Sequence, residues 1–181
     1  MRFIAVAGVI AVVFASANLP LASAHAAVDQ TTDQCFTTPG GAVDITYAGP
    51  VGQSFRPTRA RLTGVDIALQ DFDVDSVNPT VRIQIREGTI SGLVVGQTTS
   101  VVPDGINQEW WHIDFPTDVL VTPGNTYVIH VSLVGVGQNL VIFHTGPPDP
   151  YVDGSWIFQG SESPHVDLCF ATYGKGKPHR R

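Results

Sequence analysis

Three aspartates at every second position, Asp71, Asp73 and Asp75 in QDFDVDSVNPT, are the sharpest chemical feature of the sequence. Carboxylates on a loop between strands are hard oxygen ligands, and calcium takes about six to eight of them. The stretch lacks both the Gly at the sixth position and the closing Glu of a helix–loop–helix calcium site. Alternating Asp also decorates the wet end of a strand. Asp71, Asp73 and Asp75 are therefore candidate Ca2+ ligands, with a solvated strand end as the competing explanation, and no other cofactor is called for.

The second constellation is aromatic. In EWWHIDFP, the alternation that turns Trp111, Ile113 and Phe115 toward a core turns Trp110, His112 and Asp114 outward. An outward Trp on a flat sheet face is a stacking platform for a sugar ring, and the neighbouring polar groups suit its hydroxyls. Tyr151 and Trp156, in the loop-rich PPDPYVDGSW, are candidates for a second platform. The competing reading covers the outer Trp with a loop or with the N-terminal segment.

Other chemistries lack their residues. The histidines at 112, 130, 144, 165 and 179 show neither H-x-H nor H-E-x-x-H spacing. Only His130 and His144 suggest a pair, on neighbouring strands. No G-x-S-x-G elbow is present. Glycoside hydrolysis needs two carboxylates about 5 to 10 Å apart, and nothing in the sequence brings Glu87, Glu109 or Glu162 together with a partner. A binding role follows more readily than a catalytic one.

Charge narrows the partners. All 16 acidic residues lie between positions 27 and 174, against five basic ones (Arg56, Arg59, Arg61, Arg82 and Arg86), so this body carries about −11 in a chain of net −6. Such a surface repels nucleic acid, and no basic stripe with interleaved aromatics compensates. The final KGKPHRR, residues 175–181, is basic, contains Gly and Pro, and reads as a disordered tail.

The elements that must position these residues begin after a leader. Arg2 precedes an apolar or small run from Phe3 to Ala17, then Asn-Leu-Pro and small residues. This is the order of a secretory signal peptide. Its core of about 15 residues falls short of the roughly 20 needed to span a bilayer. Cleavage fits after Ala24 or after Ala26, and we take the second, giving a leader of 1–26. Export makes a disulfide between the only two cysteines, Cys35 and Cys169, the expected state. That bridge would close a loop worth about 5 kcal/mol in the chain-entropy model, and it requires the first and last strands to lie side by side.

From residue 35 onward, apolar residues alternate with period two and show no helical spacing. Val81, Ile83 and Ile85 share one face of TVRIQIREG; Tyr127, Ile129, Val131 and Leu133 share one of NTYVIHVSLVG; Val166, Leu168 and Phe170 share one of HVDLCFATYG. Further strands are expected near 43–47, 60–69, 94–102, 140–145 and 155–159. Between them, TPGN at 122–125 has the Pro and Gly of a type II turn. The expectation is all-β: a single antiparallel β-sandwich or jelly roll of about eight or nine strands, spanning 27–174, with its N- and C-terminal strands adjacent.

In that order, QSFRPTRARLTGVDIAL, VRIQIREG, WWHIDFPTDVLVTPGNTYVIHVSL and DLCFATYG resemble a recurrent bacterial extracellular module that opens on a QSF strand and closes on D-L-x-F-x-T-Y-G. The resemblance covers about residues 52 to 174. It implies a secreted jelly-roll-like sandwich of the kind attached to surface or polysaccharide-active proteins. Residues and resemblance together point to a secreted, non-catalytic binding module with carbohydrate as the leading ligand class. Its partner would be an extracellular polysaccharide or a surface protein, with no stable membrane insertion after signal cleavage. A structural or adhesive protein is the second reading, and a small calcium-dependent hydrolase the third.

Overall fold

The computed structural model describes residues 31–36, 39–71, 78–135, 139–146 and 151–176. The leader, Asp73, Asp75 and most of the basic tail lie outside these residues. Within them the chain forms twelve strands: β1 (Thr31–Phe36), β2 (Gly41–Asp44), β3 (Val51–Phe55), β4 (Arg61–Gln70), β5 (Thr80–Glu87), β6 (Val94–Val101), β7 (Glu109–Leu120), β8 (Tyr127–Leu133), β9 (Val141–His144), β10 (Trp156–Phe158), β11 (Ser161–Ser163) and β12 (Phe170–Lys175).

The strands build two six-stranded antiparallel sheets that pack as a β-sandwich. The first runs β1-β12-β4-β9-β2, with β7 on the remaining side of β4; the second runs β11-β10-β3-β8-β5-β6. The expected count of eight or nine strands is thus corrected to twelve. The added strands are β1, β3 and β11, and each hides from a period-two search. All five residues of β3 are buried, so VGQSF does not alternate; β1 reads TTDQCF, largely polar; β11 has only three residues.

Alternation elsewhere does what the sequence indicates. Val81, Ile83 and Ile85 are fully buried while Arg82, Gln84 and Arg86 are partly exposed. On β7, Ile113 and Phe115 enter the core and Trp111 packs against it. Each large apolar side chain fully buried contributes about 1.5–3 kcal/mol. Phe55 and Phe170 meet edge to face across the core with ring centroids 6.4 Å apart. The 122–125 turn has Gly124 at φ +83° and a hydrogen bond from the Asn125 N–H to the Thr122 carbonyl of 3.2 Å, as a type II turn needs.

The two segments that carry the resemblance most closely, QSF and DLCF, are tied to each other inside the core. Gln53 and Asp167 are both fully buried. Gln53 Nε2 donates to Asp167 Oδ1 at 2.7 Å, and the Leu168 N–H donates to Gln53 Oε1 at 2.7 Å. Asp167 Oδ2 accepts from the Tyr151 N–H at 3.1 Å. Buried polar groups persist only when paired, so this clamp fixes β3 to the approach of β12.

The first and last strands do lie side by side: β1 pairs with β12, Thr31 opposite Gly174 and Cys35 opposite Ala171. Cys169 is a free, fully buried thiol, and burial followed by the charge of Asp167 pushes its pKa up to about 12. The Cys35 side chain lies outside the described residues. By register the two cysteines are diagonal, and diagonal neighbours sit about 7–8 Å apart, just beyond the disulfide Cα span of about 4.4–6.8 Å. The domain also runs past the expected end at 174. Lys175 belongs to β12, with its Nζ 2.9 Å from Asp118 Oδ1.

Candidate functional site

The outward face of the first sheet assembles a polar cluster from three strands. Across β12, β4 and β7 the register sets Tyr173, Gly64 and Asp114 in one row and Ala171, Asp66 and His112 in the next. Trp110 stands opposite Ala68 one row further on. Ala68 and Ala171 are themselves buried, Ala68 in a small apolar cluster with Val141, Phe143 and Cys169, so the exposed groups of this face are Trp110, His112 and Asp114. Gly64 makes room there: a Cβ would sit tightly, 3.0 Å from the Ile113 carbonyl oxygen, 3.2 Å from His112 Cε1 and 3.3 Å from Asp114 Oδ1.

His112 is held at both ring nitrogens. Nδ1 lies 2.5 Å from Asp66 Oδ1 and Nε2 lies 3.2 Å from Asp114 Oδ1. The second oxygen of Asp66 accepts the Tyr173 hydroxyl proton at 2.5 Å, and the Tyr173 ring meets the imidazole edge to face at 5.0 Å. Partial burial of the ring opposes its protonation. The hydrogen bonds to Asp66 and Asp114 and their two negative charges together outweigh that opposition, so the His112 pKa is raised above 6.5. The imidazole thus sits between two carboxylates, with the Asp114 side chain 65% exposed. Trp110, 40% exposed, lies on the same face. The arrangement presents a ring face beside hydrogen-bonding groups and ties both carboxylates to one imidazole.

The structure thus brings Trp110, His112 and Asp114 together as the alternation indicates, and adds Asp66 and Tyr173. The second platform is corrected. Tyr151 is 4% exposed, packed edge to face on Phe170 at 5.6 Å, with its hydroxyl accepting the Arg56 N–H at 2.9 Å. Trp156 is 8% exposed and stacks on His144 at 4.3 Å. Both are packing residues: pairing of β10 with β3 and β11 draws the loop-like segment into the second sheet. His130 and His144 are also not neighbours, since β8 and β9 belong to different sheets.

The acidic triplet is divided by the limits of the structure. Asp71 is 6% exposed and its Oδ2 lies 3.4 Å from the Gly105 N–H, while Asp73 and Asp75 lie outside the described residues. Among the described residues no group of three His, Cys, Asp or Glu side chains is placed to hold a metal ion. The calcium reading therefore rests on sequence spacing alone.

Fold and site together define an all-β sandwich with an aromatic and polar patch on one outer face. The sequence matches no family model and no curated protein. Among solved structures, it is similar to the arabinose-bound MgGH51 α-L-arabinofuranosidase, with 8% identity and a TM-score of 0.38 over 80% of this chain; the match spans 22% of the arabinofuranosidase chain. It is also similar to CsCBM6-3 from Clostridium stercorarium in complex with cellobiose, with 17% identity and a TM-score of 0.34 over 71% of this chain and 82% of that one.

Proposed function

We propose that the chain is an exported, non-catalytic carbohydrate-binding sandwich whose sugar-contacting face is the outer surface of the first sheet. The observation that carries this reading is Trp110, 40% exposed on the outward side of β7 and on the same face as His112, Asp114 and Asp66. The indole supplies the stacking plane. The exposed Asp114 carboxylate accepts hydroxyl protons, and the His112 imidazole 3.2 Å away fixes its orientation.

Affinity electrophoresis against soluble cellulose derivatives, xylan and arabinan tests the assignment. The wild-type chain is retarded by at least one of them. Trp110→Ala loses about 1–3 kcal/mol of binding, on the scale of base–aromatic stacking, with a melting temperature close to wild type. Equal retardation of the two proteins would remove Trp110 from the site. Silence toward every glycan would favour the adhesive reading, in which the same patch meets a protein.

The exported form carries the Cys35–Cys169 bridge, closed by a small shift at the β1–β12 edge. Titration of the denatured, unreduced mature chain then finds no thiol. Two titratable thiols would reject both the bridge and the oxidising compartment it implies.

A further inference from the structure

The outward face of the second sheet carries a different chemistry. Along β5, Arg82, Gln84 and Arg86 point away from the core. Register places Arg82 between Ser132 of β8 and Thr99 of β6, and Gln84 between His130 and Gln97. Arg86 is fully engaged. Its Nη2 donates to Gln84 Oε1 at 2.6 Å, its Nε to His130 Nδ1 at 3.2 Å and its Nη1 to the Gly92 carbonyl at 3.0 Å. Gln84 Nε2 in turn donates to Gln97 Oε1 at 3.0 Å.

Arg82 is the exception. Three other arginines are tied down: Arg56 lies 3.7 Å from Asp153, Arg61 lies 3.7 Å from Asp118, and Arg59 donates to the Gly176 carbonyl at 2.6 Å. Arg82 makes no side-chain hydrogen bond or ion pair to the described residues. It lines an open cleft of about 440 Å³ with Gln97, Thr98 and Thr99. No carboxylate stands in the two rows. Burial first, then the charges of Arg86 and Arg82, lower the pKa of His130 below 6.5, so its imidazole resists adding a further positive charge beside them.

We infer that this cleft is an oxyanion site for an acidic polysaccharide, with the Arg82 guanidinium gripping a carboxylate or sulfate and Gln97 and Thr99 bonding its remaining oxygens. The planar guanidinium fork matches such anions in two-point contact. The cleft is open to solvent between β5 and β6, so a charged group carried on an extended chain can reach Arg82. A chain of net −6 repels polyanions at long range, so retention of one demands a local site. The cleft lies on the opposite outer side of the sandwich from Trp110, and the inference stands without the Trp110 reading.

Affinity electrophoresis of the full chain at low salt, in gels holding polygalacturonate, dextran sulfate or neutral dextran, tests it. At least one polyanion retards the wild-type chain and neutral dextran does not. Retardation by polygalacturonate alone assigns a carboxylate ligand, and retardation by dextran sulfate alone assigns a sulfate. Arg82→Gln weakens the apparent affinity about tenfold or more, the scale of a lost charge-assisted hydrogen bond. Should Arg82→Gln fail to fold, Gln97→Glu, which sets a carboxylate beside Arg82, abolishes retention instead. No retardation by either polyanion would overturn the site, and so would equal retardation by neutral dextran. Undiminished binding in a folded Arg82→Gln chain would do the same and move the contact to the basic end of the chain.

Discussion

Two outward histidines on opposite sides of the sandwich are pushed in opposite directions. His112 lies between Asp66 and Asp114 and holds its proton more tightly; His130 is more deeply buried and lies beside Arg86 and Arg82, and holds it more loosely. Both occupy outward positions of β-strands, and both have a close glycine, Gly64 next to His112 and Gly52 opposite His130. Alternation along one strand decides only that a side chain faces out. Its charge is set by the residues that the neighbouring strands bring alongside.

The glycines give the strongest way to break this parallel. A Cβ at Gly52 would sit 2.4 Å from the Ile129 carbonyl oxygen, a backbone atom that must move to make room. Gly52→Ala should therefore cost about 2–3 kcal/mol, read as a fall in melting temperature; an unchanged value would mean that the β3–β8 register is wrong. Gly64→Ala is milder, about 1 kcal/mol, because the nearest backbone oxygen is at 3.0 Å. Its distinctive effect is on His112: pushing the imidazole away from Asp114 should move its NMR titration back toward 6.5, and an unmoved titration would show that Asp66 alone sets the value.

The histidines themselves have a smaller effect, with signs that must differ. The His112 pKa is raised in the folded state, so its contribution is fully present below about pH 6.5 and fades as pH rises through the raised value. The His130 pKa is lowered, so its contribution is complete above about pH 6.5 and is lost as pH falls through the lowered value. His112→Gln should lose stability relative to wild type in acid and rejoin it in base, whereas His130→Gln should gain on wild type as the solution is acidified. Solvent screening keeps each effect below about 1 kcal/mol. Denaturant midpoints measured from pH 5 to 8 check this, and parallel profiles for the two variants would erase the contrast.

Much of the sandwich can be read directly from the sequence. Alternation in TVRIQIREG and EWWHIDFP gives the facing of β5 and β7, and the Pro-Gly pair gives the turn before β8. The site is only half legible. His112 and Asp114 share a strand, but Asp66 lies 46 residues before His112 and Tyr173 lies 107 beyond Asp66. Only the register of β4 with β7 and β12 brings them together, and no local pattern encodes it. Tyr151 and Trp156 misled for the converse reason. Their surroundings are rich in Pro, Asp and Gly, yet the segment is drawn inward by β3, whose five buried residues give no alternation to announce it.

The placement of β12 between β1 and β4 has a consequence in time. Gly174 must reach back to Thr31 and to Leu62 before the first sheet is continuous. Loop closure over such separations is slow, and folding of sandwiches dominated by distant pairings falls in the millisecond-to-second range. During synthesis, β1 and the β12-facing side of β4 lack that partner until β12, Phe170–Lys175, has emerged. Two open strand edges are templates for pairing with another copy, so a chain halted before residue 170 is the species most prone to aggregate, even though the second sheet is already complete in sequence.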